Sequence, residues 1–227
     1  MSQPGPPPET LRVSLNHGLF ITVRATDDSA VAASLASALE DLGLAPGDPW
    51  TEPDAAFRQG TSRLAEVALH AASGGWVTVV PAWNDEELMG LVAQRLSAGG
   101  EALAVAWHGH TGYHSLARFL DGALARHIAV YSGQLIRSVG APLPTETYDI
   151  DDLRDRLLDC PDALAAWLLS VGVDPEADRV KPPGDAESVL IVPVGGDVER
   201  TALVQRYLAE VDPGHEGLRE ELAALGA

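Results

Sequence analysis

The sequence predicts an α+β fold, a largely antiparallel or mixed sheet with helices packed against it. Three observations carry this. Alternating apolar runs joined by short turns recur along the chain, and short turns make antiparallel neighbours. Between them, apolar residues return at spacings of three and four after Asp or Asn, which is how amphipathic helices open. A 46% apolar composition over 227 residues supplies enough side chains to bury a core of that size.

Residues 1–10 hold Pro4, Gly5, Pro6, Pro7 and Pro8 and predict a disordered tail ahead of one α+β domain over 11–227. Leu11, Val13 and Leu15 alternate, as do Leu19, Ile21 and Val23, and Asn16-His17-Gly18 between them predicts a hairpin turn. Val31, Leu35, Leu39 and Leu42 follow the Asp27-Asp28-Ser29 cap and predict a helix that stops at Gly43. After a loop with Pro46, Gly47, Pro49 and Pro53, the spacing of Phe57, Leu64, Val67 and Ala71 predicts a second helix. Trp76 to Val80 reads as a buried strand. Asn84-Asp85-Glu86-Glu87 reads as a capping box with Asn84 as the cap, opening a helix through Leu96 that Gly99-Gly100 ends.

Glu101 to Tyr131 reads as a three-stranded meander turning at Thr111-Gly112 and Asp121-Gly122. Residues 145–187 read as a helical insertion and charged surface linker. Val189 to Val194 then predicts a strand, and Thr201, Val204, Tyr207, Leu208 and Val211 a helix ended by Asp212-Pro213-Gly214. Leu218, Leu222 and Leu225 mark a last one.

Fifteen Lys and Arg against 33 Asp and Glu leave a net charge of −18 and a pI near 4.5. Nucleic-acid binding needs clustered cations, and the one lysine, Lys181, rules out a polybasic membrane patch. The N-terminus lacks the basic and apolar regions of a secretory signal, and the longest charge-free apolar stretch, Ala163 to Val173, is too short to span a membrane. A single cysteine, Cys160, allows no internal disulfide and fits a reducing compartment. The expectation is a cytoplasmic protein.

No cofactor motif stands in the chain: Gly195-Gly196 lacks the rest of a dinucleotide fingerprint, and acids at each strand-to-helix junction disfavour phosphate. Metal-type ligands cluster only at His108, His110 and His114. His108 and His110 share a face if the strand continues, and His114 approaches across the turn, so three imidazoles suit a zinc ion. The competing reading is a solvated hairpin tip. No carboxylate lies between Trp107 and Arg118 to act as base. His127 reads as a half-exposed sheet residue, and the many serines come without a Gly-x-Ser-x-Gly elbow. Acidic surroundings disfavour Cys160 as a nucleophile.

The densest charge run is Glu146 to Asp162, in which Asp151, Asp155 and Asp159 stack on one face of an extended helix. Such a face suits a basic protein partner, or is a solvated surface. Trp83, at a strand end beside Asn84, is the tryptophan placed to line a pocket.

GWVTVV, then a helix ending RLSAGG, then EALAVAW, DGALARHIAVY and GAPLPTE follow one another between Trp76 and Glu146. That order resembles small uncharacterised bacterial α+β proteins, toxin-immunity families among them, in which strand, helix and meander precede an LP-x-E segment. The resemblance implies a non-catalytic, partner-binding role. The alternative from a different class is a metal-dependent hydrolase using the histidine hairpin.

Overall fold

The computed structural model describes residues 17–46, 66–81, 85–108, 111–132, 134–142, 168, 171–173, 189–195 and 200–225. It has the α+β class expected. Among the described residues nine strands make one sheet: β1 (His17–Arg24), β2 (Ala45–Pro46), β3 (Glu66–Ser73), β4 (Trp76–Pro81), β5 (Glu101–His108), β6 (Tyr113–Leu120), β7 (Ala123–Tyr131), β8 (Gln134–Gly140) and β9 (Val189–Gly195). Their order is β2-β9-β3-β4-β1-β5-β6-β7-β8, and each pairing is antiparallel. Four helices are described: α1 (Asp28–Asp41), α2 (Glu86–Leu96), α3 (Arg200–Glu210) and α4 (His215–Leu225). None of the described helices is long and apolar enough to cross a membrane.

β1 lies at the middle of the order, between β4 and β5, and it is buried on both sides because its alternation is apolar on both. Leu19, Ile21 and Val23 join Val77, Val79, Ala102, Ala104 and the helices in the larger core. Phe20 joins Trp76, Leu103, Val105, Leu116 and Ile128 on the opposite face, where Leu168, Val171 and Val173 pack. Asp27 caps α1 by accepting from the Ser29 and Ala30 amides, and Val31, Leu35 and Leu39 bury its inner stripe. Arg95 of α2 and Arg206 of α3 reach Asp41 and Glu210, binding three helix ends into one charge network.

The meander turns as predicted at Asp121-Gly122, where both residues take positive φ, 49° and 78°. A fourth strand, β8, continues it beyond Tyr131, which the sequence reading omits. The Asn16-His17-Gly18 turn is also corrected: His17 and Gly18 belong to β1, in register with His108 and Trp107. The second predicted helix is replaced at its C-terminal part by β3, because Val67 and Ala71 fit a period of two as well as one of four. Pairing with both β4 and β9 decides between them. The helix cap falls one residue later than predicted, on Asp85, whose carboxylate accepts from the Leu88 amide at 2.9 Å. The Pro-rich 1–10 tail and most of the 145–187 insertion lie outside the described residues.

Candidate functional site

Helix starts and strand alternation bring a polar cluster under α2, α3 and α4. On the helix-facing side of the meander, Ala104 and Ala106 of β5 and Ser115 and Ala117 of β6 are small, so a compact cavity remains above them. Glu86, Met89 and Gly90 of α2, His127 of β7, Tyr207 of α3 and His215 of α4 complete its wall. Gly90 is required there, since a Cβ would collide with the Tyr207 ring.

Two sets of polar contacts meet at this cavity. In the first, the Ser115 hydroxyl lies 3.2 Å from His127 Nε2, and His127 Nδ1 lies 3.3 Å from Asp212 Oδ2. Asp212 Oδ1 accepts from Arg137 Nη2 of β8 and from the Gly214 amide at 3.0 Å. Burial pushes His127 below the usual imidazole range against the pull of Asp212. Burial would lift Asp212, but the His127 bond and the Arg137 charge bring it down to about 2. The first set therefore holds a neutral imidazole on an ionised carboxylate.

In the second, Tyr113 of β6 donates to Glu86 at 2.7 Å, and separately Glu87 faces His215 Nε2 at 3.4 Å and Arg219 at 3.5 Å. Burial lifts the Glu86 carboxyl to about 7, although Tyr113 and His215 oppose it. Burial would lift Glu87, but His215, with the backbone and Asp85 hydrogen bonds, brings it down to about 2. Burial and the adjacent Glu86 also raise Tyr113 well above the phenol range. The His127 and His215 rings stack with centroids 6.3 Å apart, and the Tyr207 ring meets His215 edge-on at 4.7 Å.

The nitrogen assignments of Ser115, His127 and Asp212 match those of an acyl-transfer triad. Their setting does not. Ser115 lies mid-strand, opposite Ala106 on one side and Ala129 on the other, so the ladder consumes the backbone amides that an oxyanion would need. Asp212 and the Asp212–Gly214 turn instead fasten α3 and α4 to β7 and β8.

His127 is 2% exposed, not half-exposed, because the C-terminal helices cover the meander there. Its neighbours Ser115 and Asp212 lie far apart in sequence, and only Asp212, noted as a helix stop, stood out beforehand. Of the histidine hairpin, His108 stands opposite Tyr113 and His114 opposite Trp107, which puts His108 and His114 on opposite faces of the sheet. His110 lies outside the described residues. Among the described residues no group of three or more His, Cys, Asp or Glu side chains is placed to hold a metal ion. Trp83, Cys160, Asp151, Asp155 and Asp159 also lie outside the described residues, although Glu86, three residues after Trp83, lines the cavity.

The chain matches no protein-family model, no curated protein and no solved structure.

Proposed function

We propose that the chain is a non-catalytic, cytoplasmic protein-binding module, regulatory or immunity-like, that docks a basic partner. The observation supporting it most directly is the outer edge of β8, which no described strand covers, at the end of a sheet whose other end is the two-residue β2. An open edge offers main-chain donors and acceptors to an extended segment of a partner. The net charge of −18 favours a basic partner, with Asp151, Asp155 and Asp159 as its electrostatic locus. The enclosed position of Ser115 also favours binding over acyl transfer. The metal-hydrolase alternative has no observation in its favour among the described residues. Hydrogen exchange on the chain alone and with its isolated partner tests the reading: amides of 134–140 should exchange more slowly in the complex. Unchanged exchange along β8 would remove this edge as the docking site.

A further inference from the structure

The face of the sheet opposite the helices is closed to water, yet little of the described chain lies on it. Trp76 of β4, Phe20 of β1, Leu103 of β5, Leu116 of β6 and Ile128 of β7 are at most 8% exposed there. These five neighbouring strands span about 19 Å at a spacing of about 4.8 Å. Among the described residues, Leu168, Val171 and Val173 pack onto them, and three side chains cannot shield that width.

Three arginines stand at one end of the same face. Alternation along β1, β6 and β7 puts Arg24 with Phe20, Arg118 with Leu116 and Arg126 with Ile128, and Arg118 is directly opposite Arg126. Glu101 Oε2 accepts from Arg24 at 2.9 Å and Oε1 from Arg118 at 2.7 Å, so one carboxylate serves two guanidiniums. Arg126 is 5% exposed, and its Nη1 donates to the Ser138 hydroxyl at 3.1 Å and the Val139 carbonyl at 3.0 Å, both neutral. A guanidinium held that far from water calls for a carboxylate close by.

The chain carries its carboxylates between two points fixed on this face. It leaves β8 at Gly140, in register with Arg126, and is back on the face at Leu168, beyond which the Val171 carbonyl accepts from Arg24 Nη2 at 3.1 Å. From β8 to β4 is five strand spacings, about 24 Å, a distance that residues 141–167 span with chain to spare. Between Glu146 and Asp162, seven acids stand against Arg154 and Arg156, and Ile150, Leu153 and Leu157 recur at spacings of three and four. An apolar stripe suits the closed field of the sheet, and the acids beside it suit the arginines. We propose that Arg24, Arg118 and Arg126, with the apolar field next to them, are the docking surface for this chain's own residues 146–162. A basic partner drawn to Asp151, Asp155 and Asp159 must then displace them from these arginines; that competition rests on the partner-binding reading, and the docking does not.

Hydrogen exchange on the full chain, with no partner added, tests the docking apart from the partner. Arg118→Gln leaves Glu101 paired with Arg24, so the strands should hold. Amides of 146–162 should exchange about fivefold faster in this variant while those of β5 and β6 keep their wild-type rates. Arg206→Gln removes the same charge from among the helices and should leave 146–162 unaltered. A nitroxide on Cys160, the one cysteine, locates the segment independently: it should broaden amide resonances of β6 and β7 more than those of α1 and α2. Mixing nitroxide-labelled chain with isotope-enriched unlabelled chain should transfer no broadening, which separates this chain's own segment from that of a second copy. Wild-type exchange of 146–162 in Arg118→Gln, broadening strongest on the helices, or broadening passed between copies would overturn the proposal.

Discussion

Glu86 and Glu87 are neighbours in sequence with opposite electrostatics. Glu86 gains one neutral donor for the water it loses, whereas Glu87 gains His215 and Arg219. For Glu86 the folded carboxyl titrates near 7 and the unfolded one near 4.5, so its stability contribution is complete below pH 4.5 and lost as pH rises to 7. Glu86→Gln should therefore match the wild type at pH 4.5 and exceed it at pH 8 by up to about 3 kcal/mol, measured by urea unfolding. Asp212 runs the other way. Its carboxyl is depressed to about 2, so its contribution is present above pH 4 and disappears as pH falls toward 2. Asp212→Asn should cost about 3–5 kcal/mol at pH 7, because Arg137 and His127 lose the charge they face. Its stability should also fall less steeply than the wild type's between pH 4 and 2.

At the scale of elements, β8 depends on Gly140, whose φ is +85° and whose added Cβ would strike the Ala125 carbonyl. Gly140→Ala should lower stability by about 1–3 kcal/mol and raise hydrogen exchange in β8 before β6. α1, the helix after Asp85 and the Asp121-Gly122 hairpin were legible because each is specified locally, by a cap, a stripe or a turn dipeptide. β3 was not, because Glu66–Ser73 carries both periods and long-range pairing chooses between them. β8 escaped notice because a bulge near Ile136 breaks its alternation against β7. The cavity was half legible. Asp85, Glu86 and Glu87 stood out as a helix start, but nothing local brings Ser115, His127 and Asp212 together.

For the whole molecule, charge is the property the sequence states most directly. If the acidic run meets a basic partner, Asp155→Asn and Asp159→Asn should slow association several-fold at low salt and flatten its dependence on ionic strength. Stopped-flow rates at two salt concentrations check this, and unaltered rates would leave that face a solvated surface. The strand order has a consequence for synthesis. β9 enters the sheet between β2 and β3, pairing Val67 with Val192, so the last of the described strands closes a gap opened near the beginning of the chain. While the ribosome is still making the region between them, the β3 edge has no partner and can recruit another nascent chain. A chain stopped before Val189 should therefore aggregate as it is released. Light scattering from translation reactions with and without residues 189–227 would show the C-terminal strand acting as the molecule's own protection against self-association.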